Sequence, residues 1–347
     1  MFEQAKTLAK DLLGPFYEYV YHVAFALFPF ASPTHLHGLF ILSTVLLALW
    51  FYIVRFGRDQ RPTLSGFFGF LVPRRVFLHP SAVVDYKFYV INTVVLAKLK
   101  LLSFAAALGG LFAVADGATA LLVALFGSHE VTGEPSFVLQ LAFTVAMVLA
   151  FDFAKWLGHY LEHKVPVLWE FHKVHHSAEV LTPITNHRVH PVDAMVEQFL
   201  TALTTGLVAG VFAWIDPRGL TELTLMNIGL IAFFYYLTAN LRHSHVPLEF
   251  SWRLSHLVSS PAMHQIHHSS EVRHWNKNFA LMFSMWDVLA RTLYVPRGKE
   301  DFRLGLPGEE NRRFASVWSL YVAPFVAVAR RLARAVGFGP SSAPPQA

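Results

Sequence analysis

Cysteine is absent from this chain of 347 residues. Without thiols the protein cannot form a disulfide framework, a thiolate zinc site or an iron–sulfur cluster, and it has no thiol nucleophile. The sequence also contains no GxGxxG, Walker-type or GxSxG pattern, so nucleotide-binding and serine-hydrolase functions have no support. Charged residues are scarce. They make up 15% of the chain, whereas soluble domains average about 25%.

Hydrophobic residues, by contrast, form 54% of the chain and cluster in long runs. Each run approaches the ~20 residues that a helix needs to cross a hydrocarbon core. The runs are Leu36–Val54, Leu101–Phe126, Phe137–Leu157, Ala194–Ile215 and Glu222–Leu241. The second run contains Asp116-Gly117 and could be broken there, and the short segment joining the last two, with Asp216-Pro217, is typical of a hairpin turn. The predicted fold class is all-α and integral to the membrane, with about four to five transmembrane helices.

Basic residues are distributed unevenly between the loops. Seven Lys and Arg residues lie between positions 58 and 100, whereas the loop Gly127–Ser136 has none. By the positive-inside rule we expect the 58–100 segment to be cytosolic and the 127–136 loop to lie on the opposite side. Basic loops that meet anionic headgroups also account for the net charge of +5, so no nucleic-acid partner is predicted.

Histidines are concentrated in the second half of the chain, where fourteen of the nineteen lie between positions 159 and 274. Eight of them form three clusters, HxxxH, HxxHH and HxxHH, which comprise His159 and His163; His172, His175 and His176; and His264, His267 and His268. Residues three and four positions apart share a helix face, so each cluster can direct two or three imidazoles at one point. Three such clusters predict metal binding, since buried imidazoles otherwise need individual partners.

The number of imidazoles indicates how many metal ions are bound. One tetrahedral zinc ion takes four ligands and the clusters already supply eight, so two ions are predicted. Imidazole suits iron, zinc, copper and nickel, so the ligand type leaves the metal open. Because neutral ligands leave the charge of two ions uncompensated, we expect carboxylates nearby to offset it. The candidates are Asp152, about two helical turns before His159, and Asp193, although either could instead be a helix-end or capping carboxylate.

Three stretches of the chain resemble a known family. Asp152–His176, Arg188–Asp193 and Met263–Asp287 are similar to the fatty acid hydroxylase/sterol desaturase superfamily in cluster order, cluster spacing and the closing Asn-Phe and Trp-Asp pairs. The resemblance implies a membrane enzyme that holds two non-haem iron ions in a cytosolic helical cap over the spans. Such an enzyme uses O2 to hydroxylate or desaturate a lipid, which could be sterol-like, fatty acyl or another isoprenoid. It draws electrons from a separate donor, such as a cytochrome b5, a ferredoxin or a reductase.

Two further histidines are predicted to complete the ligand set. His243 follows the last apolar run and resembles the family's additional ligand between its second and third clusters. His190 precedes Pro191, a residue suited to a first helical turn, and a tenth imidazole would give each of two ions about five ligands. The alternative role for His190 is a helix cap. His245 is expected to support the ligands without binding metal, and His274 to touch substrate or to pack against a tryptophan.

The chain is predicted to divide into an N-terminal segment with the first span (1–84), a catalytic domain (85–295), and a C-terminal interfacial helix with a disordered tail (296–347). The C-terminal helix is expected at Ser316–Val336, with a break near Pro324. We expect a multi-pass protein of a bacterial inner membrane or the endoplasmic reticulum, with the histidine clusters on the cytosolic face. The alternative function is a non-enzymatic metal-binding membrane protein, a transporter or a sensor. A transporter would place its ligands near the bilayer midplane, whereas these clusters lie beyond the predicted ends of the spans.

Overall fold

A computed structural model describes residues 38–56, 61–221, 223–225, 228–229, 237–297 and 300–336. The α-helices are, in chain order, α1 (Gly38–Phe56), α2 (Leu64–Leu71), α3 (Arg74–Phe77), α4 (Pro80–Val94), α5 (Ala97–Phe126), α6 (Phe137–Lys164), α7 (Pro166–His176), α8 (Pro191–Ile215), α9 (Trp252–Ser255), α10 (Pro261–His267), α11 (Met285–Ala290) and α12 (Val317–Ala335). Short 3₁₀ turns occupy Pro183–His187, Val272–His274 and Gly308–Phe314. Two two-residue strands, β1 (Thr224–Leu225) and β2 (Ile228–Gly229), form an antiparallel pair.

Three helices of the described chain are long and apolar enough to cross a membrane: α5 from Leu101 onward, α6 and α8. Helix α1 is apolar but shorter over the stretch Phe40–Phe56. Large apolar side chains are exposed along α5, and such a surface is stable when lipid rather than water covers it. The described chain therefore has the predicted all-α membrane fold.

The apolar runs differ in how well they predict the helices. Helix α5 is continuous through Asp116-Gly117, so the possible break there does not occur. Helix α6 extends beyond Leu157 to Lys164 and therefore carries the first histidine cluster. The prediction of one continuous helix over Glu222–Leu241 is wrong where that segment is described, because β1 and β2 lie within it. Apolar residues alone do not distinguish a short strand pair from a helix.

Helices α5 and α8 pack closely through small residues. Gly206 and Gly210 are four positions apart on α8 and face α5. A Cβ atom added at Gly206 would lie 2.7 Å from the Leu111 carbonyl oxygen, a distance that no real side chain tolerates. Spacing small residues by four lets two helix backbones approach each other within a membrane. The Thr119 hydroxyl adds a hydrogen bond of 3.0 Å to the Gly210 carbonyl.

A buried arginine joins the elements that carry the second histidine cluster. Arg188 lies just after the 3₁₀ turn at Pro183–His187, and its side chain is 2% exposed. Its guanidinium pairs with Asp85 of α4 at 2.6 Å, and it donates to the Val174 carbonyl and the Ser177 hydroxyl at the end of α7. Since every donor that points into this core has an acceptor, the charge can be buried and the end of α7 is fixed.

The C-terminal helix α12 packs against α7. The predicted break near Pro324 is wrong, since α12 continues through that residue to Ala335. Pro324 is buried, and it removes only one backbone donor from a helix that neighbouring helices support. The predicted disordered tail, at 337–347, and the start of the first apolar run lie outside the described residues.

Candidate metal centre

The three histidine clusters meet at one end of the helical bundle. His159 and His163 occupy successive turns at the end of α6, and the second cluster occupies the last turns of α7. The third cluster lies on α10, which Ser260 caps by accepting a hydrogen bond from the Met263 amide. His243 joins them directly after the helical residues 237–242. The structure thus brings together nine of the ten histidines that the sequence proposes as ligands.

The nine imidazoles divide into two groups, in each of which the available nitrogens lie within 4.8 Å of one another. We call these the five-histidine group and the four-histidine group. The first consists of His159, His163, His172, His176 and His267, and the second of His175, His243, His264 and His268. Each group draws on three separate helical segments, so neither could form before the chain has folded.

In the four-histidine group the Nε2 atoms converge on one point. The Nε2 atom of His243 lies 3.1 Å from that of His175, 3.1 Å from that of His268 and 3.0 Å from that of His264. A neutral imidazole carries one N–H, so four ring nitrogens that face each other cannot all be satisfied by hydrogen bonds among themselves. A metal ion bonded at about 2.0–2.1 Å would separate neighbouring ligand nitrogens by roughly 2.9–3.4 Å. The arrangement therefore fits a cation.

In the five-histidine group two rings are oriented by backbone carbonyls. The Nδ1 atom of His159 donates to the Phe279 carbonyl at 2.9 Å, and that of His267 donates to the Lys277 carbonyl at 2.7 Å. In both rings the Nε2 atom is buried and has no hydrogen-bond partner in the described chain. A donating Nδ1–H fixes the tautomer that presents the Nε2 lone pair, which is how proteins orient metal-binding imidazoles. The Nε2 atoms of His163 and His176 lie 3.1 Å apart in the same group.

Two carboxylates orient the ring of His172. Its Nδ1 atom lies 3.1 Å from Asp193 and 3.2 Å from Glu162, and both acids are almost fully buried. Burial alone would lower the pKa of His172, but these two carboxylates raise it to about 10. The same negative charge would stabilise a cation bound at Nε2. Asp193 therefore lies beside a candidate ligand, as expected for a carboxylate that offsets metal charge.

Burial lowers the pKa values of five other imidazoles of the two groups. Burial, with the neighbouring His172 as a further cause, lowers the pKa of His175 and of His267 to about 3. Burial likewise lowers the pKa values of His176, His264 and His268 well below the usual range. A metal ligand must be the neutral imidazole, so at physiological pH these rings need no deprotonation to bind an ion.

The closing Asn-Phe and Trp-Asp pairs hold the loop that orients the ligands. The Asp287 carboxylate accepts from the backbone amides of Phe279 and Ala280 at 3.1 and 2.8 Å. Asn278 has a φ of 59°, and its side chain donates to the Met263 and Tyr294 carbonyls. Because the carbonyls on either side of Asn278 orient His267 and His159, these two residues act on the five-histidine group through the backbone.

Asp152 has a different role from the one predicted. Its carboxylate accepts from the amides of Met282 and Phe283 at 2.9 and 3.0 Å and from the indole of Trp286 at 3.0 Å. Three donors satisfy the buried charge, and none of them is a ligand imidazole. Asp152 therefore anchors the 279–287 loop to α6, and the expectation that it offsets metal charge is not supported by its contacts.

His190 lies outside both groups, contrary to the prediction of a tenth ligand. Its Nδ1 atom accepts from the Val192 amide at 3.1 Å, so it caps helix α8. Its Nε2 atom donates to the Tyr321 carbonyl at 3.3 Å. Both nitrogens are thus committed to backbone groups. Capping is the alternative that the position before Pro191 left open.

His245 and His274 also lie outside the groups. The Nε2 atom of His245 donates to the Phe70 carbonyl at 2.6 Å. His274 bridges the Ser269 hydroxyl and the Glu300 carboxylate at 2.9 and 3.1 Å, and its ring packs against Tyr294 and Phe302 rather than a tryptophan.

Glu162 is the site residue that the sequence argument missed. It precedes His163 and lies three positions after His159, a spacing that places its side chain near the face used by the first cluster. It is 1% exposed and lies beside Asp193 and His172 in a third group of possible ligand atoms. The sequence signal was a single acid inside an otherwise apolar and basic helix end.

Comparisons with known proteins agree with this geometry. Residues 144–292 match the fatty acid hydroxylase family. The chain is 27% identical over 213 residues to the ornithine lipid hydroxylase OlsE of Rhizobium tropici, an overlap that covers 60% of this chain and 58% of that protein. It is 28% identical over 173 residues to the cholesterol 25-hydroxylase of Homo sapiens, which covers 48% and 55% respectively. The chain thus spans about half the length of the curated relatives it matches. No solved structure matches it.

The matched segment begins within α6, just before the first cluster, and ends after the loop that orients the third. It therefore contains all nine converging imidazoles and both carboxylates beside His172. This agreement of motif, geometry and relatives places residues 144–292 in the fatty acid hydroxylase/sterol desaturase superfamily.

Proposed function

We propose that this protein is a membrane-bound oxidoreductase that holds two iron ions and uses O2 to hydroxylate a lipid. The observation that carries the proposal is the division of nine imidazoles, seven of them on buried residues, into two converging groups. Two separate groups support two ions, because each contains enough nitrogens for one. Iron is proposed from the superfamily, since imidazole by itself suits several metals.

The chemistry and spacing of the residues support two bound ions. The five-histidine group would hold one ion and the four-histidine group the other, with Glu162 and Asp193 offsetting charge through His172. When bound, the ions would supply the activation of O2 that C–H hydroxylation needs. The protein itself orients the ligands and buries most of the imidazoles away from water.

The overall reaction sets what else the protein needs. Hydroxylation converts a C–H bond, O2, two electrons and two protons into a C–OH group and one water molecule. The chain has no cysteine and therefore cannot hold a Cys-ligated iron–sulfur cluster that would supply these electrons. We therefore propose an external electron donor, of the cytochrome b5, ferredoxin or reductase class.

A membrane lipid is the proposed substrate class. The first cluster lies at the end of α6, and Asp193, which contacts His172, lies at the start of α8; both helices are apolar enough to cross a membrane, which supports a substrate drawn from the lipid. The relatives are named as hydroxylases of an ornithine lipid and of cholesterol. Hydroxylation is accordingly proposed in preference to desaturation. The mass of the product distinguishes the two reactions.

The proposal is tested by lipid analysis and metal content together. Membranes from cells that express the protein, or its His267→Ala variant, would be extracted and compared by mass spectrometry. We expect a lipid that gains one oxygen atom only with the unaltered protein, and about two iron ions per purified chain. A lipid that loses two hydrogens would replace hydroxylation by desaturation. A single, readily exchanged ion with no lipid change would contradict the enzyme and favour a metal transporter or sensor.

We also propose that the metal centre faces the cytosol. The basis is the contrast in basic residues between the 58–100 segment and the loop Gly127–Ser136. Since the chain has no cysteine, single cysteines can be introduced without background labelling. A cysteine in the 127–136 loop should react with an impermeant reagent from outside, and one placed between Arg61 and Arg75 should not. The reverse pattern would put the centre out of reach of a cytosolic donor.

A further inference from the structure

A cavity of about 210 Å³ lies next to the metal centre, between α4, α5 and the first turns of α8. It is separate from both histidine groups. Part of its wall is apolar, with Leu96, Leu99 and Met195, and part of it is polar, with Asn92 and Gln198. A mixed wall at the end of the membrane-spanning helices is typical of a site for an amphiphile.

Asn92 presents a hydrogen-bond donor to this cavity. Its side chain is 2% exposed, and its Oδ1 atom accepts from the Tyr321 hydroxyl at 2.6 Å. That bond fixes the amide orientation and leaves the NH2 group on the cavity side, where no residue of the described chain accepts from it. A buried amide that satisfies only its oxygen is costly unless a ligand or water accepts from the nitrogen.

Gln198 repeats the arrangement on the opposite wall. Its Oε1 atom accepts from the Ser103 hydroxyl of α5 at 2.6 Å. Its NH2 group therefore also remains a donor, and it has no acceptor among the described residues that surround it. Two amides, each held through its oxygen by a hydroxyl, thus present N–H groups to one cavity.

The charge of the wall selects the kind of acceptor. None of the described residues that line the cavity is Lys or Arg, which would be expected around a phosphate or a carboxylate. The acid in the wall, Glu197, is paired with Lys155 at 2.8 Å. Neutral N–H donors without a cation match a neutral carbonyl oxygen better than an anion.

We propose that this cavity binds the ester or amide linkage of a lipid, whose carbonyl oxygens accept from Asn92 and Gln198. Its position supports this assignment. Pro191 and Ala194 in the first turn of α8 line the cavity, whereas Asp193 in the same turn contacts His172. A lipid anchored here would contact the same helical turn that carries Asp193. That the lipid bound here is the substrate rests on the proposed function.

The test compares two lipids that differ only in the carbonyl. Purified full-length protein in detergent would be titrated with diester and diether phosphatidylcholine of equal chain length, with binding followed by native mass spectrometry. Losing a neutral hydrogen bond weakens binding by about 3- to 10-fold. We expect the diester lipid to bind about tenfold more tightly. Asn92→Leu and Gln198→Leu should each remove most of that preference by weakening binding of the diester lipid alone.

Matched variants separate a ligand role from a structural one. Tyr321→Phe and Ser103→Ala break the same hydroxyl–amide bonds but keep both NH2 donors. Although the hydroxyl that holds each amide is lost, these variants should keep most of the diester preference, whereas the Leu variants should lose it. Gln198 is only partly buried, so its Leu variant is expected to fold even where the Asn92 variant does not. Bound metal reports folding in each variant.

Two results would overturn the site. The first is equal binding of diester and diether lipids by the unaltered protein, and the second is an equal loss of preference in Tyr321→Phe and Asn92→Leu. Hydroxylation of both lipids with the same KM would also contradict the site but would leave the proposed function standing. Ester-selective binding by a protein that hydroxylates no lipid would support the site and contradict the proposed function.

Discussion

The five-histidine and four-histidine groups use the same side chain but are supported differently. In the first, His159 and His267 donate to backbone carbonyls and His172 lies against two buried carboxylates. In the second, the Nδ1 atoms of His264 and His268 are buried and have no hydrogen-bond partner in the described chain. The two groups therefore differ in the residues behind the ligands, and not in the type of ligand.

This difference has a physical consequence for metal binding. Partners that fix a ligand ring typically raise metal affinity by about 10- to 100-fold. Negative charge behind a ligand adds to the attraction for a cation. We expect the five-histidine group to hold its ion tightly, and the four-histidine group to be the more adaptable site. The predictions below test this contrast.

The largest effect is expected from removing one ligand of each group. His267→Ala and His268→Ala should each abolish lipid hydroxylation and lower bound metal from about two ions to about one per chain. Membrane insertion should persist, since it depends on the apolar helices and not on these imidazoles. Metal analysis and lipid mass spectrometry of the same membranes would measure both outcomes. Full turnover in either variant would contradict a shared two-ion centre.

A smaller effect is expected from the carboxylate behind His172. Asp193→Asn removes charge beside Nδ1 and should weaken the tighter ion by about 10- to 100-fold, leaving the other unchanged. Competition with a chelator would measure both affinities. Asp152→Asn is the matched control, because Asp152 is equally buried but bonds to the 282–283 amides. The control should lower thermal stability without changing either metal affinity, and equal metal loss in both variants would contradict the charge argument.

The contrast also predicts the order in which the ions leave. On addition of a chelator the unaltered protein should release metal in two phases, with the four-histidine group about tenfold weaker or more. His268→Ala should eliminate the early phase and His267→Ala the late one. Release in a single phase would show that the unequal support of the two groups has no effect on affinity.

The smallest effect on metal is expected at His190, which lies outside both groups. His190→Ala removes the cap of α8 and should cost about 1–2 kcal/mol of stability, whereas His190→Asn can still cap the helix and should cost less. Both variants should keep the full metal content, measured beside the thermal midpoint in detergent. Loss of one ion in both variants would restore His190 as a ligand and make the two groups equal in size.

Much of the site was predictable because its signals are local. The HxxxH and HxxHH spacings place imidazoles on one helix face, and all eight cluster imidazoles lie in the two groups. The membrane helices were predictable for the same reason, since length and apolarity are properties of a continuous segment. Segment 222–241 shows the limit of this argument, because apolar runs carry no information on whether residues pair across a turn.

The roles of the buried acids and polar residues were not predictable in the same way. Asp152 and Asp193 look alike in sequence, yet one bonds to loop amides and the other lies against a ligand ring. His190 precedes a proline in a way that suits a cap as well as a ligand, and only its neighbours distinguish the two roles. Glu162 became visible as a site residue only when α6, α7 and α8 had been placed together.

The sequence by itself determined that the protein is helical, lies in a membrane and carries enough imidazoles for two metal ions. These properties depend on composition and on spacings of three and four residues, which act within one helix. The tertiary structure decided how nine imidazoles divide between two groups, which acid supports which ring and where the amide-lined cavity lies. Those depend on contacts between separate segments of the chain, whose geometry only the packing of the helices determines.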